Sequence, residues 1–326
     1  MIVVTGAAGF IGSNIVSTLN ERGRDDIAVC DWVGSGAKWR NLAKAGFVDW
    51  ISPPDLLSWL ERRTDVDAII HMGAISSTTA RDGDAVIATN FRLSLDLLEF
   101  CTNRETPFLY ASSAAVYGDG ELGFDDDASP AAVRALRPLN LYGWSKRQFD
   151  FVVADRIARG APFPPSCVGL RFFNVFGPNE YHKDEMQSIV AKIAGPIGRG
   201  EGITLFKSHR EGINDGDQRR DFIYVKDAVA LALHLHDRGT TGIYNVGTGQ
   251  ARSFRELAIA TFAAFGRSPQ IDYVDMPESI RDKYQYFTQA SLERVRNADF
   301  ATPFFSLEES VADYVQSYLD RADPYR

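Results

Sequence analysis

Gly6-Ala7-Ala8-Gly9-Phe10-Ile11-Gly12 decides the fold. It follows the apolar run Ile2-Val3-Val4 and opens a stretch with helical spacing, in which Ile11, Ile15 and Leu19 recur four apart. Glycine in a GxxGxxG pattern lets the backbone turn tightly, lets a pyrophosphate come close, and lets helix and strand pack against each other. The helix start then offers free N–H groups and the positive end of its dipole to phosphates. Asp31 ends the next apolar run, Ile27–Cys30, 19 residues after Gly12, near the position from which an acid meets a ribose. Together these features predict a dinucleotide-binding turn.

The same alternation continues outward. Strands are predicted at Ala68–Ile70, Phe108–Ala111 and Val168–Phe172, and helices at Asp55–Arg63, Asn90–Cys101 and Tyr142–Arg159. Uniformly apolar strands separated by helices describe an α/β fold, a doubly wound parallel sheet covered on both faces. Beyond Phe173 the regularity weakens. Residues 1–173 are expected to form the dinucleotide-binding domain, with 222–250 returning to it. Residues 174–221 and 251–326 are expected to form a smaller α/β substrate domain. The polar stretch from Ser208 to Asp221 reads as a long loop, and Asp125, Asp126 and Asp127 as a solvated acidic loop.

Composition narrows the class. The chain has 326 residues, 45% apolar and 24% charged, so it is globular. Thirty-five Lys and Arg against 43 Asp and Glu, a net charge of −8, argue against nucleic acid as a partner. No apolar run of about 18 residues or basic leader is present, so neither a membrane span nor a signal peptide is predicted. Cys30, Cys101 and Cys167 lack metal-ligand spacing and read as buried, reduced thiols of a cytoplasmic protein. The five histidines are scattered, and no metal site is expected.

Two further motifs carry chemistry. Tyr142 and Lys146 stand four apart, one turn along the same helix face. A nearby ammonium and a nicotinamide cation would favour the phenolate of Tyr142. Lys146 is also placed to hold ribose hydroxyls. Ser113 lies where Tyr110–Gly118 runs from a strand into a small-residue turn, the end at which doubly wound sheets bind ligands. It is placed to hydrogen-bond a reacting oxygen. The three residues predict a hydride-transfer site.

TGAAGFIG, SSAAVYG and YGWSK resemble the extended short-chain dehydrogenase/reductase family. Within it, RFFNVFGPNEYHK (171–183), RDFIYV (220–225), KYQYFTQA (283–290) and GAISSTT (73–79) are similar to the ADP-L-glycero-D-manno-heptose 6-epimerases, nearly end to end. That resemblance implies NADP-dependent oxidation and re-reduction at the heptose C6 carbon of an ADP-heptose, which supplies the heptose of the lipopolysaccharide core. It implies Lys183 as a second acid/base group beside Tyr142, its pKa lowered by burial or by a cationic neighbour such as His182 or Lys146.

The resemblance further implies that Phe10 and Ile11 lie along the pyrophosphate. Trp32, Met72, Gly73, Ala74, Ser76, Asn90 and Val175 would meet the cofactor. Asn174 would meet the substrate, Phe206 its adenine, and Arg220 and Tyr284 its diphosphate. A homo-oligomer, by family habit a homopentamer, is implied too.

The match also departs from the family. Asp31 by itself argues for NAD, whereas Lys38 matches a basic position used for the 2′-phosphate of NADP. Trp32 replaces a small polar residue, and Pro53 stands where a second lysine is expected. The loop from Ser208 to Asp217 is longer than expected. NADP is the expected cofactor and NAD the alternative. A nucleotide-sugar 4-epimerase of the same fold is the alternative activity. A dehydratase is disfavoured, since the acid pair it would need after the catalytic serine is replaced here by Ala114 and Ala115 following Ser113. A noncatalytic dinucleotide sensor is disfavoured because Tyr142 and Lys146 are both present.

Overall fold

The computed structural model describes residues 1–281 and 284–326. Lys283 of the KYQYFTQA motif therefore lies outside the described residues. The strands are, in chain order, β1 Ile2–Thr5, β2 Ile27–Cys30, β3 Asp49–Ile51, β4 Ala68–His71, β5 Phe108–Ser113, β6 Cys167–Phe172, β7 Asn174–Phe176, β8 Ile203–Phe206, β9 Arg219–Tyr224, β10 Thr241–Val246, β11 Ala251–Ser253 and β12 Ile271–Val274.

Seven of them form one sheet in the order β10-β6-β5-β4-β1-β2-β3. Every pairing in it is parallel. The expected doubly wound sheet is thus present. Strands β1, β2, β4 and β6 are buried along their length because helices cover both faces. Successive side chains point to opposite faces, so two cores form. Val4, Val29 and Ile70 pack on one side; Val3, Ala28 and Ile69 pack on the other.

The strand order reverses between β1 and β4, the place where an open sheet of this kind leaves a crevice at its carboxyl end. The first helix, Phe10–Glu21, starts there. Gly6 occupies the left-handed region at φ 64°, and a Cβ on it would lie 2.6 Å from the Gly73 nitrogen. A Cβ on Gly12 would lie 2.1 Å from the Gly6 oxygen. Both glycines are therefore required by backbone approach.

After β6 the chain leaves the sheet. β7 pairs with β9, β9 with β11, and β8 with β12, in two small sheets beside the crevice. Of the segment 222–250, β10 rejoins the main sheet while residues 222–224 pair in a small one. Ile193, Ile197, Leu205, Ala258 and Phe262 make a separate core there.

Several local readings need correction. The helix expected from Asn90 begins at Gly83 and passes through a π-helical turn, Ile87–Arg92, before Leu93–Asn103. Strand β3 has only three residues and no apolar run to announce it. The acidic loop is not wholly solvated: Asp126 is buried, and its Oδ2 accepts from the Asn245 amide at 3.0 Å. That bond joins the loop to β10. The three cysteines are free and buried. No helix among the described residues is long and apolar enough to cross a membrane.

Beneath the helix Leu141–Arg159 lies an ion pair with no solvent exposure, Arg171 Nε to Asp150 Oδ2 at 2.9 Å. Asp150 also accepts from the hydroxyls of Tyr110 and Ser112. Removing one partner strands the other charge in the core. Arg171→Met should therefore lower unfolding free energy by about 3–5 kcal/mol, read from chemical denaturation. Unchanged stability would show that Asp150 finds another partner.

Candidate active site

The crevice opens into a cavity of about 730 Å³. Its walls bring together, from one end, Gly6, Gly9, Phe10, Ile11, Gly12, Asp31 and Lys38. Met72, Gly73, Ala74 and Ser76 follow from the end of β4, then Ser113, Tyr142 and Lys146, and finally Asn174, Val175 and Lys183. These residues are distant in sequence and converge because each follows the carboxyl end of a strand or opens the next helix.

The first helix has no side-chain cap at Gly9, unlike Leu141–Arg159, which Asn140 caps through the Gly143 amide at 2.8 Å. An uncapped start facing a cavity suits an anionic group. The turn thus fits the pyrophosphate of a dinucleotide. Asp31 Oδ2 accepts from the Ala8 amide at 2.9 Å, and Oδ1 accepts from the Trp32 amide at 2.7 Å. The Lys38 ammonium lies 2.6 Å from Asp31 Oδ1 and donates to the Trp32 carbonyl at 2.9 Å. Sequence alone sets these two residues against each other over a 2′-phosphate; in the structure they form an ion pair.

Gly143 sets the distance between the catalytic candidates. A Cβ there would lie 2.6 Å from the Ala115 carbonyl oxygen, so the helix presses against the turn after Ser113. Ser113 accepts from the Ala115 amide at 3.1 Å and also meets the Tyr142 phenol. The protein by itself does not favour the phenolate. Burial pushes Tyr142 above the ordinary tyrosine value; Ser113 lowers it in part, and the Asp150 charge raises it further. Burial also pushes Lys146 down to about 8, against the opposing pull of Asp150. Desolvation by the protein therefore dominates both groups, and the phenolate needs the further help of a bound cation.

Lys183 sits on the short 3-10 segment Tyr181–Met186. Its Nζ lies 5.1 Å from the centroid of the Phe10 ring. Burial lowers its pKa, and Glu180 acts in the opposite direction. His182 is not the cationic neighbour considered above. Burial, then the charges of Lys38 and Lys183, push its pKa to about 4, and Asn41 Nδ2 lies 3.1 Å from its Nδ1.

Other expected residues lie elsewhere. Trp32 is 63% exposed and does not line the cavity. Asn90 is wholly buried behind the wall. It accepts from the Ile75 amide and donates to the Ile75 carbonyl and Ser145, bracing the turn after β4 against the Tyr142 helix. The π-helical turn is what aims it there. Phe206 stands half in solvent at the end of β8. Arg220 is nearly buried between the rings of Phe254 at 5.8 Å and Tyr284 at 5.2 Å. Phe254 itself lines the cavity, whereas Arg220 and Tyr284 stand behind it and do not.

Sequence reading missed Gln187, Ser188, Phe222 and Phe254 as lining residues. Phe222 lies within the RDFIYV motif, though nothing in the motif marks that residue for the cavity; no motif marks the other three, which arrive from segments that the crevice gathers only on folding. The long loop folds back on the substrate side, where the His209 amide donates to the Tyr286 hydroxyl at 3.0 Å. Among the described residues no group of three His, Cys, Asp or Glu is placed to hold a metal ion.

The sequence profile of the NAD dependent epimerase/dehydratase family matches residues 2–247. The chain belongs to that family. A relative from Nitratidesulfovibrio vulgaris (strain DP4), an ADP-L-glycero-D-manno-heptose-6-epimerase, is 45% identical over the full length of both chains. The crystal structure of the Helicobacter pylori ADP-L-glycero-D-manno-heptose-6-epimerase is 29% identical with a TM-score of 0.78, covering 97% of this chain and 95% of that one. The UDP-glucose 4-epimerase of Thermus thermophilus, solved with NAD, is 26% identical with a TM-score of 0.74, covering 96% of this chain and 97% of that one.

The depressed value of His182 has a measurable consequence. The unfolded chain binds a proton near pH 6.5, whereas the folded one resists until about 4. Stability from this group is thus complete above about pH 6.5 and is lost as pH falls toward 4. An NMR titration of the His182 ring should show its midpoint near 4. A midpoint near the ordinary histidine value would mean that the ring is solvated.

Proposed function

We propose that the protein inverts the C6 side-chain centre of ADP-D-glycero-D-manno-heptose to the L-glycero form. The observation that carries this reading is one cavity lined by two separate proton-transfer candidates, Tyr142 and Lys183, on different elements. The full-length relative at 45% identity supports the choice of substrate. A nicotinamide dinucleotide, when bound, supplies the oxidation and re-reduction at that carbon. Inversion requires the carbon to present two opposite faces, so the reacting oxygen occupies two places. Tyr142 Oη moves the proton in one orientation, and Lys183 Nζ in the other. Ser113 hydrogen-bonds the oxygen beside Tyr142. Lys146 holds the ribose hydroxyls, and its charge favours the phenolate. Burial of Lys183 raises the fraction of neutral amine available as a base. Arg220 and Tyr284 hold the diphosphate end, and Phe206 stacks on the adenine.

The test is incubation of the purified protein with ADP-D-glycero-D-manno-heptose, with the L-glycero epimer followed by NMR. Tyr142→Phe should reduce turnover by roughly 100-fold or more with the cofactor retained. Lys183→Met should lower kcat by a similar factor; a rise in KM alone would make Lys183 a binding residue. Conversion of UDP-glucose in place of ADP-heptose would favour the 4-epimerase alternative.

NADP is the cofactor we infer. Lys38 compensates the charge of Asp31, whose oxygens are already engaged by the Ala8 and Trp32 amides, so the acid no longer repels a 2′-phosphate unopposed. Lys38→Ala should weaken NADP at least roughly ten-fold more than NAD, the worth of one charge-assisted hydrogen bond. Equal losses for the two, measured by calorimetry, would show that Lys38 does not touch the 2′-phosphate and would remove the argument for NADP over NAD.

A further inference from the structure

The segment carrying Lys183 is held partly from within and partly by distant residues. Asn179 (φ 73°) and Asp184 (φ 44°) both adopt left-handed backbone, which non-glycine residues keep only when their surroundings impose it. From within, the buried Glu180 clamps the two ends of the segment, accepting from the Gly177 amide at 3.2 Å and the Ser188 hydroxyl at 2.7 Å. From outside, residues 323–326 lie across it.

Tyr181 donates its hydroxyl to the Pro324 carbonyl at 2.8 Å, and its ring meets Tyr325 edge-on at 5.2 Å. The Arg326 amide donates to Asn179 Oδ1 at 3.0 Å. The Arg326 side chain turns to the first helix, donating to Asn14 Oδ1 at 3.1 Å, Thr18 Oγ1 at 3.0 Å and Glu21 Oε2 at 2.7 Å. Those three acceptors lie on one face of the helix that opens at Gly9. Lys44, just past the turn carrying Lys38, donates to the Tyr325 carbonyl at 2.7 Å. One short strap thus touches the helix of the glycine turn, the neighbourhood of Lys38 and the Lys183 segment.

We propose that Tyr325 and Arg326, acting through Tyr181 and Asn179, are positioning residues for Lys183. The strap fixes the distance between the ammonium and the cofactor helix, so that Lys183 Nζ stays over Phe10 at the cavity wall. This rests on the reading of Lys183 as the second acid/base group. A displacement of about 1 Å at a reacting group costs on the order of 100-fold in rate, so a clamp remote from the chemistry has catalytic weight.

The test uses the full chain carrying Tyr325→Ala and Arg326→Ala together, alone and combined with Lys183→Met. In the parent background kcat on ADP-heptose should fall about ten-fold or more, with KM changed by no more than about two-fold. Amide exchange across 181–186 should accelerate while that of β1 stays the same. In the Lys183→Met background the strap substitutions should have no further effect on kcat, because the group they position is gone. An equal loss in both backgrounds, or parent-like kcat and exchange, overturns the proposal. Full activity of Lys183→Met by itself instead sinks the reading of Lys183, whatever the strap does. If the double variant is unstable, Tyr181→Phe removes the bond to Pro324 together with the hydroxyl contact to Tyr314 and should reproduce the same split on a smaller scale, again only while Lys183 is present.

Discussion

Everything at the crevice depends on how closely three stretches of backbone approach one another at the end of β1. Gly6 and Gly12 have no room for a Cβ, and one on Gly73 would press on the Thr5 hydroxyl at 3.1 Å. Because they are bare, the first helix starts against the sheet with its amide end turned to the cavity. A single methyl group here would push helix and strand apart by more than the contact allows. The position of every other cavity residue is measured from this turn. Asp31 bonds to the Ala8 amide, Asn41 to the Ala8 carbonyl, and Gly73 to Thr5.

Around that fixed point, burial rather than charge pairing sets the electrostatics. Tyr142, Lys146, His182 and Lys183 each depart from their ordinary values chiefly because water is withdrawn from them. For the three bases the shift favours the neutral form; for the phenol it also does so, which works against the phenolate. A bound nicotinamide cation is therefore of most value at Tyr142. The Asp150–Arg171 pair behind the helix is the counterweight: its carboxylate lifts Lys146 toward the charged form, and Arg171 Nε holds that carboxylate at 2.9 Å.

The second half of the site is built differently. The first half hangs on a rigid parallel sheet. The segment from β7 to Ser188 belongs to no large sheet; besides the internal bond of Glu180 with Ser188, hydrogen bonds from four distant places hold it: Asn14, Asn41, Tyr314, and residues 324–326. Such a segment is precise only as long as its neighbours are, which is why residues far from the chemistry bear on Lys183.

Local pattern was enough to read the sheet, the glycine turn, the Tyr142–Lys146 helix face and Ser113 from the sequence. Each rests on short-range physics: uniformly apolar strands, glycine at a forced backbone approach, and two side chains one helical turn apart. Family resemblance was needed for Lys183, because a lysine in a polar segment has no local signature. Only the tertiary structure decided the rest. It paired Lys38 with Asp31, neutralised His182, drew Asn90 behind the wall, buried Asp126 under β10 and laid Arg326 across the first helix. Each of these depends on contacts between residues far apart in the chain, and on desolvation that exists only once the core has closed.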